Sequence, residues 1–213
     1  MNEQDIIRRV EEEIRLLFAG DATGHDAFHT LRVYRSAMRI AQAEGGDRLV
    51  IALGALLHDA DDPKLFRTAD FANARAIMAR CGVEGDTAER VVEAIRTVSF
   101  KGTDTVTPAT LEGKIIQDAD RLDALGAIGA ARAFAYGGSH GRAMYDPDQP
   151  PRAEMDEAAY RANRGSSLNH FHEKLYLLKG MMNTPAARAM AEGREAFLRT
   201  FEAEFLAEWD GRA

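Results

Sequence analysis

Cysteine is almost missing from this chain. Cys81 stands alone among 213 residues, so no disulfide within the chain can brace the fold, and burial of apolar surface must hold it. Cys81 precedes Gly82 at the end of an apolar helical pattern, a place that suits a small core residue better than a reactive thiol. Long hydrophobic runs are missing too. The longest, Leu49 to Leu57, falls far short of the roughly 20 residues that a membrane-spanning helix needs. Positive charge is in deficit: 27 Lys and Arg against 34 Asp and Glu leave a formal net charge of -7. That balance speaks against a broad surface for nucleic acid or anionic lipid, so neither a macromolecular nucleic acid nor a membrane is expected as a partner. A small anionic substrate stays open, because a bound cation and a few local Arg or Lys can reverse the potential inside one pocket. The opening residues, Met1-Asn2-Glu3-Gln4-Asp5, have neither the basic nor the apolar region of a secretion signal, and a cytoplasmic location is the expectation. Strand-type alternation is absent throughout.

Helical periodicity is what the chain has instead. Ile6, Val10, Ile14 and Leu17 form a first apolar stripe, and Phe28, Leu31, Met38 and Ala41 a second that stops at Gly45-Gly46. Asp47 then opens a segment apolar on nearly every side, which reads as a helix through the middle of a core. Phe71, Ala74, Ile77 and Met78 mark a fourth helix. Asp86 with Glu89 reads as a capping pair for a fifth, carrying Val91, Val92, Ile95 and Val98. Thr107-Pro108 precedes a sixth with Leu111, Ile115, Ile116 and Leu122, read as continuing into the small-residue stretch Gly126 to Ala135. Between Tyr136 and Gly165 the pattern fails, with a weak helical hint at Glu154 to Ala162, as in a functional lid or a disordered segment. Helical order returns with Leu168, Phe171, Leu175 and Leu178, and Thr184-Pro185 starts a last helix edged by Phe197, Phe201, Phe205 and Trp209. The fold class is therefore all-α. One compact multi-helix domain over 1–213 is expected, with a helical core to about 135, a long loop over about 136–166 and C-terminal helices over about 167–210.

Six histidines are present: His25, His29, His58, His140, His170 and His172. The dipeptide His58-Asp59 stands out because it closes the most apolar helix. Polar groups emerging from a buried wall are costly unless something binds them. A divalent cation would accept a neutral nitrogen and a carboxylate oxygen together; a helix-end contact from Asp59 to a loop donor would serve as well. Spacing alone leaves both open.

The motifs together resemble a known family. His29-x-x-Arg32-Val33, Ala55-Leu56-Leu57-His58-Asp59 and Asp118-Ala119-Asp120-Arg121-Leu122-Asp123 resemble the HD-domain metal phosphohydrolase superfamily. Ser99-Phe100-Lys101, Glu112 through Asp120, Phe134-Ala135-Tyr136-Gly137-Gly138 and Ser167-Leu168-Asn169-His170-Phe171 look like its bacterial YedJ/YpgQ-type branch, and these blocks cover nearly the whole chain. The resemblance implies that His29, His58, Asp59 and Asp120 hold one divalent metal. It also implies hydrolysis of nucleoside or deoxynucleoside triphosphates to monophosphate and pyrophosphate. A 5′-nucleotidase of the same fold, or a non-catalytic nucleotide-binding HD domain, is the alternative. Two neutral imidazoles and two carboxylates neutralise one M²⁺. The mixed N/O set suits Mn²⁺, Fe²⁺, Co²⁺, Ni²⁺ or Zn²⁺ and suits Mg²⁺ less well. Two-metal members of the superfamily use further histidines between the HD pair and the distant aspartate. This chain has none between Asp59 and Asp120.

Asp62, three residues after Asp59, matches the position of the general acid or base proposed in related HD nucleotidases. It equally fits a turn-forming Asp before Pro63; Asp61 is read as the structural member of that pair. The expected partner is a small phosphorylated molecule, a nucleotide. Arg32, Lys64, Lys101, Lys114 and Arg121 are candidate phosphate contacts. Arg142 and Tyr145 join them from the long segment, as possible phosphate and base contacts, and its His140, Arg152 and Arg164 could close over a nucleotide too. Asp123, one turn beyond Asp120, is expected to support the site or accept a buried hydrogen bond.

Overall fold

Apolar patterning over short stretches decides most of what forms. A computed structural model describes residues 2–19, 27–63 and 65–213, of residue 161 the backbone alone. The described residues carry helices α1 (Glu3–Leu17), α2 (Ala27–Glu44), α3 (Arg48–Leu57), α4 (Ala72–Arg80), α5 (Asp86–Ile95), α6 (Leu111–Asp123), α7 (Gly126–Ser139), α8 (Glu157–Ala162), α9 (Tyr176–Leu178) and α10 (Pro185–Trp209). A π-helical turn, Phe171–Leu175, leads into α9, and a 3₁₀ turn, Lys179–Met181, leaves it. No strand occurs among the described residues; an isolated bridge joins Lys101 and Thr103. The class is all-α.

The chain divides into two compact units, Met1–Ser99 with Val106–Asp120, and Phe100–Thr105 with Arg121–Ala213. In the first, α3 is the axis. Every residue from Val50 to Leu57 is buried, and α1, α2 and α5 pack around it. Asp47 starts this helix: its Oδ1 accepts the Leu49 and Val50 amides at 3.0 and 3.2 Å. Gly54 lets α6 come close, because a Cβ there would lie 2.4 Å from Ile116 Cδ1. Gln117, wholly buried, donates from Nε2 to the carbonyls of Thr97 and Val106. It thereby ties together the two points between which residues 100–105 leave this unit.

In the second unit α7 packs along α10. Thr184 caps α10, its Oγ1 accepting the Ala187 amide, with Pro185 in the first turn. Phe134, Phe171, Phe201, Phe205, Tyr145 and Trp209 form a chain of rings 5.3–6.4 Å apart.

Three local expectations change. First, α6 and α7 are separate helices. Leu125 is extended and Gly126 takes φ 71, a left-handed backbone that only glycine adopts cheaply, so the helix must stop and restart. Second, α5 has no side-chain cap. Gly85 is its N-cap, and Asp86 and Glu89 lie inside the first turn, where they oppose the helix dipole, while Glu89 pairs with Arg75 at 2.5 and 3.0 Å. Third, the segment after Tyr136 is tethered. α7 runs on to Ser139, and α8 occupies Glu157–Ala162. Hydrogen bonds hold the stretch between, among them Ala143 and Met144 carbonyls to Ser167 and Leu168, the Arg142 guanidinium to the Asn163 carbonyl, Gln149 to Asn169, Arg152 to Glu173, and Met155 to Thr103.

Candidate metal centre

Three helix positions converge inside the first unit. His29 lies in the first turn of α2, His58 caps the C-terminus of α3 with Asp59 beside it, and Asp120 lies on α6. The His29 and His58 side chains are 1% and 2% exposed, Asp59 9% and Asp120 27%, so the cluster sits under the surface and is most open at Asp120. The two Nε2 atoms face one another at 3.3 Å. His29 Nε2 lies 3.4 Å from Asp59 Oδ2 and from Asp120 Oδ1. His58 Nε2 lies 3.4 Å from Asp59 Oδ1 and 3.8 Å from Asp120 Oδ1.

The donor chemistry fits a metal. His58 Nδ1 stands 2.9 Å from the Ala55 carbonyl, which can only accept, so Nδ1 carries a proton, and Nε2, the nitrogen that offers a lone pair in the metal-binding form, turns toward the cluster. Bringing that lone pair, a second imidazole and two carboxylates together under the surface is costly without a cation. Ligand atoms about 2.1 Å from an ion are separated by about 3.0 Å in adjacent octahedral positions and about 3.4 Å in tetrahedral ones. The spacings of 3.3–3.8 Å match a site that closes slightly around its ion. His29, His58 and Asp120 each offer an atom within 4.8 Å of the others'. Burial opposes ionisation of Asp120, but the hydrogen bond to His29 and the fields of both imidazoles outweigh it and hold its carboxyl down at about 2. The carboxylate is thus ready to bind at neutral pH.

The turn after α3 places Asp62. Its amide donates to the Asp59 carbonyl at 3.1 Å, and the residue is buried. Asp61 points elsewhere. Its two oxygens accept the amides of Asn73 and Ala74 at the start of α4, and Asn73 Nδ2 returns a bond to the Ala60 carbonyl. Asp61 and Asn73 therefore pin the turn that carries Asp62.

The candidate phosphate contacts scatter more widely. Arg32 is half-buried on α2, one turn after His29, and Lys114 is half-buried on α6. Lys64 lies outside the described residues, as does His25. In the second unit, Arg121 is 5% exposed and donates to the Met181 carbonyl, so that bond occupies part of its guanidinium. Lys101 is 3.7 Å from Glu157. Tyr145 packs edge-on against Phe205 and Trp209. Arg142 lies over the Tyr136 ring and donates to the Asn163 carbonyl. His140 stacks on Tyr136 at 3.9 Å. Asp123 is buried and accepts from Arg132 at 2.7 Å. One group that no motif reading singled out is Lys174, whose ammonium lies 4.8 Å from the Phe100 ring centre and 5.7 Å from that of Tyr160. Only its place four residues after His170 could have flagged it.

Known proteins share this arrangement of sequence and fold. The HD domain family profile matches residues 27–125, which include all four residues of the cluster. Bacillus subtilis YpgQ is 34% identical over 94% of this chain and 92% of its own. A crystal structure of YpgQ in complex with ADP superposes with a TM-score of 0.77, covering 98% of this chain and 96% of the other at 32% identity. An HD-superfamily hydrolase from Bacillus thuringiensis gives a TM-score of 0.77 at 39% identity, over 98% and 99% of the two chains.

Proposed function

The chain belongs to the HD domain family and is a metal-dependent phosphohydrolase, and on that premise we propose that it cleaves nucleoside or deoxynucleoside triphosphates into the monophosphate and pyrophosphate. The observation that carries the reading is the convergence of His29, His58, Asp59 and Asp120 on one point, with two nitrogen and two carboxylate donors. A divalent cation held there supplies Lewis acidity toward water and a phosphate oxygen. The ligand charges sum to -2 and balance such an ion.

The remaining chemistry is assigned to this chain's own groups. A water oxygen forms a bond to the α-phosphorus, the bond from that phosphorus to the bridging oxygen breaks, and pyrophosphate leaves. The attacking water gives up a proton, and we assign its acceptance to the Asp62 carboxylate, carried on the turn that Asp61 and Asn73 pin. Arg32 and Lys114, half-buried on the helices that carry His29 and Asp120, oppose the negative charge on the phosphate oxygens. The ADP in the YpgQ crystal supports a nucleotide as the ligand class here.

The test is a panel of nucleoside mono-, di- and triphosphates incubated with protein loaded in turn with Mn²⁺, Co²⁺, Ni²⁺, Zn²⁺ and Mg²⁺. Pyrophosphate released from triphosphates, and lost on adding chelator, is expected. Orthophosphate from monophosphates would replace this reading with a 5′-nucleotidase. No release with any metal would leave a nucleotide-binding domain.

A further inference from the structure

In the second unit, basic groups gather without matching carboxylates. Lys174 lies over the rings of Phe100 and Tyr160 and makes no ion pair among the described residues. His170, four residues earlier, tilts against Tyr160 at 6.3 Å, and neither of its ring nitrogens has a hydrogen bond among the described residues. Arg142 donates from one terminal nitrogen to the carbonyl of Asn163, at the end of the helix that carries Tyr160. Its Nε is buried without an acceptor.

The neighbouring carboxylates are engaged elsewhere. Glu173 accepts from Asn163 Nδ2 and from the Arg152 amide, and Glu157 lies beside Lys101. The field is strong enough to be felt on the imidazole. Burial first, then the charges of Lys174 and Arg142, push His170 down to about 3. The ring is therefore a neutral donor and acceptor at physiological pH. Like charges gathered on half-buried groups repel one another, and a buried guanidinium donor without an acceptor carries a desolvation cost. In a chain of net charge -7, an anion at this place removes both penalties.

We infer that Arg142, His170 and Lys174 form an anion cradle in the second unit that binds the oxygens of a phosphate chain. Lys174, held on the aromatic faces, supplies a point charge, and Arg142 supplies charge with a directed N–H. His170 supplies a neutral N–H. The choice of phosphate as the anion rests on the phosphohydrolase reading above; which phosphate bond is cut does not enter.

The test measures binding without turnover. Full-length protein freed of metal is titrated with inorganic pyrophosphate by calorimetry. Removing the cation takes away the strongest phosphate attraction at the His–Asp cluster, and the Lys174 and Arg142 variants separate heat from the cradle from heat at Arg32 and Lys114. Wild-type protein should bind, and Lys174→Gln and Arg142→Gln should each weaken binding by about tenfold or more, in line with loss of one charged hydrogen bond. Arg8→Gln, the same charge change on exposed α1, should leave affinity unaltered. Circular dichroism checks that each variant is folded. Should Arg142→Gln misfold through loss of its bond to Asn163, Lys174→Gln decides, since its ammonium makes no ion pair. Failure of wild type to bind pyrophosphate, or wild-type affinity in folded Lys174→Gln, overturns the cradle. A panel that yields orthophosphate in place of pyrophosphate would overturn the proposed bond cleavage and leave the cradle standing.

Discussion

At the scale of single residues, neighbours in sequence carry different duties. Asp59 faces both imidazoles at 3.4 Å, Asp61 caps α4, and Asp62 is buried on the turn between them. Asp59→Ala takes one of two carboxylates from the cluster and leaves -1 against a dication, so metal content and activity should disappear together. Asp62→Asn keeps the shape and removes only the proton acceptor. Metal content by elemental analysis should stay near that of wild type, and the rate should fall by about 10²–10⁴. Near-normal turnover in Asp62→Asn would make Asp62 a turn residue only, and loss of metal would make it a ligand. The family resemblance gave Asp59 and Asp62 their expected duties and left Asp61 as the structural member, but which backbone amides Asp61 meets was not legible in the sequence. Their duties depend on which backbone amides and rings the turn happens to meet.

At the scale of elements, close helix packing positions the cluster. His58 ends α3 and Asp120 lies one turn beyond Ile116 on α6, so the approach of α3 to α6 at Gly54 sets the separation of their donors. Gly54→Ala would drive a methyl into Ile116, which has no exposed surface to move toward. A stability loss of about 1–3 kcal/mol is expected from such overpacking, read as a lower urea midpoint. Weaker metal binding should accompany it. An Ile116→Val exchange in the same chain should recover part of both, by removing the Cδ1 methyl that the new methyl meets. A stabilised Gly54→Ala protein, behaving as a plain gain in helix propensity, would refute the close approach.

For the molecule as a whole, pH couples to stability through His170. Its folded value of about 3 lies below the ordinary 6.5. Between those two values the unfolded chain binds a proton that the folded chain does not. The contribution of His170 is therefore complete above about pH 6.5 and is lost progressively as pH falls toward 3. His170→Asn lacks this term. Urea midpoints taken from pH 7.5 down to 4 should show wild type losing ground to His170→Asn as the pH drops, and a constant difference would contradict the position of His170 in a cationic field.

What the sequence determined by itself is what depends on near neighbours along the chain. Apolar residues at helical spacing decided the all-α class, Asp47 and Thr184 decided where α3 and α10 begin, and the apolar run to Leu57 decided that His58 and Asp59 emerge from a buried wall. Recurring blocks added the family, and with it His29 and Asp120 as candidates. Tertiary structure decided the rest. A left-handed Gly126 split what reads as one helix, and hydrogen bonds tethered a segment that reads as a lid or a disordered stretch. Packing set Lys174 over Phe100 and Tyr160, residues from separate segments whose meeting no local pattern encodes. The physical reason is range. Helix propensity and capping act within about one turn of the chain, whereas the field at a site sums over side chains that only folding brings together.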